Sequence, residues 1–183
     1  MVLSIVALEL LGGAVGAVPA GPSTWAEATP AVKPDPAREH LAAVEKRFQN
    51  DLYALIVSKW PQLKAIAATQ RDLAIALIDR RTIEYYYVRD HHPGKIVRNQ
   101  DAAAFANFDL SSADQQALRA SNAAYVALGQ RIDQLQQKFQ NSPEAADAQA
   151  KFPAIRSDPR YPPILARLQQ GLREVEQLLK KTP

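Results

Sequence analysis

No cysteine occurs in the 183 residues. Disulfides, thiolate nucleophiles, iron–sulfur clusters and covalent c-type haem are therefore excluded, whichever compartment the chain occupies. Glycine is nearly as informative by its scarcity. Beyond Gly21 only Gly94, Gly129 and Gly171 remain, so there is no glycine-rich phosphate cradle, and neither a G-x-S-x-G nucleophile elbow nor an H-E-x-x-H zinc helix can be found. Three histidines, His40, His91 and His92, leave few ways to build a metal centre. Charge of one sign is lacking too: a net charge of +3 is spread through interspersed acids and bases. Nucleic-acid binding, which needs clustered Lys and Arg, is not expected, and contact with a membrane surface would be weak at most.

What is present is apolar residues at helical spacing. With 47% hydrophobic and 22% charged residues, the composition suits a single folded domain rather than a disordered chain. Leu118, Ser121, Tyr125, Leu128, Ile132, Leu135 and Phe139 step by three and four, as the seam of a helix packed lengthwise on another helix does. Leu165, Leu168, Leu172, Val175 and Leu179 repeat the alternation near the C-terminus, so these two long helices are expected to zip together.

The chain opens on an almost uninterrupted apolar run from Val2 to Val18, followed by Val18-Pro19-Ala20, a small-residue pattern that suits secretory cleavage. Residues 1–20 read as a signal peptide, with an uncleaved anchor or a buried helix as the competing readings. Residues 21–35, rich in proline and alanine, read as a tether. The remaining 36–183 read as one helical domain.

Within it Asp35-Pro36 marks a helix start, and Pro61 forces a corner because it lacks the N–H a helix interior requires. His92-Pro93-Gly94 is a stop, and Ser111 to Asp114 resembles a capping box. The fold expected is all-α: an antiparallel bundle of about four main helices at 36–60, 62–91, 112–140 and 162–180, with a long irregular connection over 92–110. Long amphipathic helices also pair between chains, so a homodimer is a further expectation.

One stripe could carry chemistry. Glu84, Tyr87 and His91 are spaced three and four, hence on one helix face. A carboxylate, a phenol and an imidazole there could hold a metal, through Glu84 and His91, or relay a proton. The plainer reading of the same residues is a solvated helix end, with Glu84 paired to Arg80 or Arg81 and the histidines capping carbonyls. A third reading is a small-ligand or lipid carrier that opens beneath the 92–110 connection around Phe105 and Phe108.

The binding reading is preferred to both. Tyr85, Tyr86 and Tyr87 fan around their helix by roughly 100° each and cannot all be core. With Arg89, His91, Lys95, Phe105 and Phe108 they form the candidate binding region. The third helix carries a long amide-rich strip: Gln115, Gln116, Arg119, Gln130, Arg131, Asp133, Gln134, Gln136, Gln137 and Lys138. The function expected is that of an exported bacterial protein, periplasmic or secreted, that binds a protein or peptide partner without catalysis and without a cofactor.

Overall fold

The computed structural model describes residues 33–98 and 101–181. The expected signal peptide and most of the tether lie outside the described residues. Seven α-helices and three 3-10 turns make up the described chain, and no strand occurs among the described residues. None of the described helices is long and apolar enough to cross a membrane.

Helix α1 spans Pro36–Lys59. Asp35 caps it by accepting the Ala37 N–H at 3.0 Å, and Pro36 occupies the first position, where a missing N–H costs nothing. The corner forced by Pro61 is a 3-10 turn, Pro61–Leu63, and α2 follows over Lys64–His91. A second turn, Pro93–Lys95, ends that run. The connection beyond it is less irregular than its sequence suggests. It holds a short helix, α3 (Ala102–Ala106), whose N-cap Asp101 accepts the Ala104 N–H at 2.8 Å.

The expected helix 112–140 is two helices, α4 (Ser112–Ser121) and α5 (Ala123–Gln140). Asn122 separates them with extended backbone, ending α4 through its N–H and starting α5 by accepting the Tyr125 N–H at 2.9 Å. The predicted capping box at Ser111 and Asp114 is present. Then come α6 (Ala145–Lys151), a 3-10 turn Phe152–Ser157, and α7 (Tyr161–Lys181).

The predicted seam between the heptad helix and the last helix does not form. α7 packs along α1, α1 along α2, and α2 along α5, and α5 and α7 share no extended contact among the described residues. Each stripe finds a different mate. α5 buries Tyr125, Ile132 and Phe139, one residue every two turns, and α2 receives them. α7 buries Ile164, Leu168, Gly171, Val175 and Leu179, and its mate is α1. Gly171 permits that approach: a Cβ built there would meet Val44 side-chain carbons at 2.5 Å.

Two apolar clusters hold the helices together. One joins Leu55, Ile56, Leu63 and Ile66 to Phe139, Phe152 and Ile164. The other joins Leu41, Tyr85 and Val88 to Phe105, Phe108, Val175 and Leu179. Each large apolar side chain so buried contributes about 1.5–3 kcal/mol before conformational entropy is set against it. The second cluster fixes the connection over the end of α2, where most of the candidate residues lie.

Candidate functional site

Three of the eight candidate binding residues lie in the interior. Tyr85, Phe105 and Phe108 are buried, and the Tyr85 ring meets Phe105 edge-on at 5.3 Å and Phe108 at 6.1 Å. The connection is thus laid on a filled core, and the space a carrier would need around these two phenylalanines is occupied by Tyr85. Arg81 fastens it further, stacking its guanidinium 3.5 Å over Phe108 and donating to the Phe108 carbonyl at 2.6 Å.

The tyrosines do fan out. The Tyr85 hydroxyl donates to Asp35 at 2.5 Å, and the same carboxylate oxygen accepts from Arg98 at 2.5 Å. Burial would by itself raise the Asp35 carboxyl, but Arg98, Tyr85 and the Ala37 N–H outweigh it and hold it below the ordinary carboxylate range. Burial and the Asp35 carboxylate push the Tyr85 phenol up. Tyr86, half-buried, donates to Glu39 and accepts the Asp35 N–H at 3.1 Å; burial and Glu39 push it up to about 12. Arg89 lies 4.8 Å over the Tyr86 ring, pairs with Asp90 and donates to the Lys33 carbonyl at 2.7 Å. This network ties the entry of α1, the end of α2 and the connection into one unit, and every phenol in it stays neutral at physiological pH.

Tyr87 and His91 stack at 4.2 Å, and the His91 ring lies 2.9 Å from the Tyr87 carbonyl. Glu84 turns away from them. Buried, it accepts from Tyr125 at 3.0 Å and pairs with Arg80 at 3.3 Å and Arg81 at 3.4 Å. The stripe that sequence spacing suggested is therefore split, Glu84 joining α2 to α5 and His91 lying at the exposed helix end. No group of three or more His, Asp or Glu side chains that could hold a metal ion is found among the described residues.

Lys95 is exposed, 3.5 Å from Asp114, the residue that completes the capping box of α4. His92 meets the same carboxylate at 2.8 Å. Ser111 and His92 together hold the Asp114 carboxyl far below its usual range.

Sequence reasoning missed a buried basic group. Arg38 is 1% exposed and donates to Thr82 Oγ1 at 3.0 and 3.3 Å, with no carboxylate in ion-pair contact among the described residues. Burial pulls it down from its usual value; burial also pushes the carboxyl of Glu45 up, with Arg38 and Arg81 opposing that rise. A signal existed: Arg38 and Glu45 are seven apart, on a helix face shared with Leu41 and Phe48. Charges at such stripe positions mark an interior that is partly polar.

The amide-rich strip has a defined geometry. Opposite the buried Tyr125, Ile132 and Phe139 runs an exposed ridge of Ala123, Ala127, Gln130, Gln134 and Gln137. None of these three glutamine side chains has a hydrogen-bond partner among the described residues, and Val126 beside the ridge is exposed. Gln136 is half-buried, and Gln115 donates to the Leu110 carbonyl. A groove of about 420 Å³ also runs between α1 and α7, bridged by a His40–Glu174 hydrogen bond and an Asp51–Arg167 ion pair. No protein-family model matches this chain, and neither does any curated protein or any solved structure.

Proposed function

We propose that this is an exported, non-enzymatic binding protein of the bacterial cell envelope, in which an antiparallel bundle of four main helices presents the outer face of α5 to a protein or peptide. The observation that carries the reading is the one-sided packing of α5. It spends a single narrow seam on α2 and leaves the opposite ridge of alanines and glutamines without a partner among the described residues. Alanine lets a partner approach closely. Each glutamine carboxamide offers two donors and an acceptor, matching backbone N–H and C=O groups in more than one register. Such a surface suits polypeptide better than a small ligand. Export is supported by the apolar run Val2 to Val18 and the small residues after it.

The test is to place a photo-crosslinking amino acid at Gln134 on the ridge, and at Arg173 on α7 as a control, and to express each variant in the native host. Irradiation followed by cell fractionation and mass spectrometry is expected to give a discrete adduct from the envelope fraction at Gln134 and none at Arg173. Equal labelling at both positions, or a protein confined to the cytoplasm, overturns the reading.

A further inference from the structure

The sides of the α5 ridge carry charges that narrow what docks on it. Arg131 and Lys138 are seven residues apart, so they share one side of the helix, about 10.5 Å apart along its axis. Asp133 lies on the other side of the ridge. All three are exposed, and none has a hydrogen-bond or ion-pair partner among the described residues. The helix itself offers none: the positions three and four away from each hold only Ala, Leu, Gly, Gln, Asn or Ser. At the other helix contacts cations are answered within the chain, Lys46 by Asp79, Arg71 by Asp72 and Arg167 by Asp51.

Spacing decides what could answer Arg131 and Lys138. The ridge steps by four and three through Ala123, Ala127, Gln130, Gln134 and Gln137, the repeat by which one helix mates with another. Carboxylates on a helix return to the same side every seven residues, at the same rise of about 10.5 Å. On an extended strand same-side residues recur about every 6.8 Å, and neither one nor two such steps match. A second copy of α5 answers poorly, because it brings one carboxylate, Asp133, for two cations.

We propose that the ridge docks an acidic amphipathic helix of the partner, with carboxylates repeating every seven residues against Arg131 and Lys138. This rests on the binding reading above and adds the partner's conformation and charge. The two alanines let the docked helix lie close. The glutamines meet its side chains, since the backbone groups of a helix are already bonded to one another. The two cations, at the wet edge of the contact, select the partner more than they add affinity.

Fluorescence anisotropy of the full chain against three labelled peptides of Ala and Gln tests this. One carries Glu at every seventh position, one carries Lys there, and one carries the same Glu with a central Pro that bars a helix. The Glu peptide is expected to bind about tenfold more tightly than the Lys peptide, and the Pro peptide to lose that binding. Arg131→Gln with Lys138→Gln should abolish the preference, and Arg131→Glu with Lys138→Glu should reverse it. Binding of none of the peptides, a preference that survives neutralisation, undiminished binding of the Pro peptide, or a dimer in native mass spectrometry that closes the ridge overturns the proposal. A native adduct at Gln134 without any charge preference among the peptides sinks the acidic helix alone, whereas absence of that adduct sinks the binding reading.

Discussion

The carboxylate of Asp35 accepts the Ala37 N–H that opens α1, the Tyr85 hydroxyl from α2 and the Arg98 guanidinium from the connection. Its replacement separates two roles. Asp35→Asn keeps a side-chain acceptor for the cap but withdraws the charge opposite Arg98, and is expected to cost about 1–2 kcal/mol in chemical denaturation. Asp35→Ala removes the cap as well and leaves Arg98 Nη1 with Tyr85 alone, for about 3 kcal/mol. The pH dependence has a definite sign. The carboxyl titrates lower in the folded state than its reference of 3.8, so the unfolded state binds more protons just below that value. The advantage of the wild type over Asp35→Asn should be complete above pH 3.8 and shrink as pH falls below it; a constant gap would refute the ionic role. Asp35-Pro36 is legible in the sequence as a helix start, because capping is local. The partnership with Arg98, 63 residues on, leaves no trace in spacing, since only folding brings the two together.

At the scale of elements, a heptad stripe states that a helix packs without naming its mate. The stripes on α5 and α7 are both real and both buried, yet each packs on a different helix of the α1–α2 pair. The stripe from Leu118 to Phe139 also runs through the break at Asn122, because a single extended residue barely disturbs a count of threes and fours. The signal for the break is Asn122 itself, a favoured cap residue ahead of Ala123 and Ala124. Gly171 gives the α1–α7 contact a direct test. Gly171→Ala would gain about 1 kcal/mol in helix propensity. Its Cβ, however, would lie 2.5 and 2.7 Å from the two γ-carbons of Val44, and valine in a helix has essentially one rotamer to offer. Overpacking costs about 1–3 kcal/mol, so a net loss of about 1 kcal/mol is expected in thermal or denaturant unfolding. Val44→Ala in the same chain should recover it. A stabilised Gly171→Ala single variant would show that the helices separate freely and that the close approach is incidental.

For the molecule as a whole, the two apolar clusters lie toward opposite ends of the long helices, with little closed core between them. In α1 no residue between Ala42 and Leu55 is fully buried, and in α2 only Ala74 and Ala76 are between Thr69 and Glu84. That middle stretch carries the half-buried Glu45 and the Lys46–Asp79 ion pair. Continuous helices transmit rigidity, but free energy is stored where apolar surface is removed from water, so the two ends should open with separate free energies. Truncation in each cluster tests this. Phe105→Ala empties a position that is 1% exposed and should cost about 3–5 kcal/mol at that end. Hydrogen exchange should then quicken in α3, the last turns of α2 and the C-terminal half of α7. The turn Phe152–Ser157 and the C-terminal half of α5 should hold their protection. Phe152→Ala should give the mirror pattern, exposing the Phe139 end while the Tyr85 network stays closed. If either variant instead lowers protection evenly from α1 to α7, the clusters act as one cooperative core, and the polar middle is no boundary.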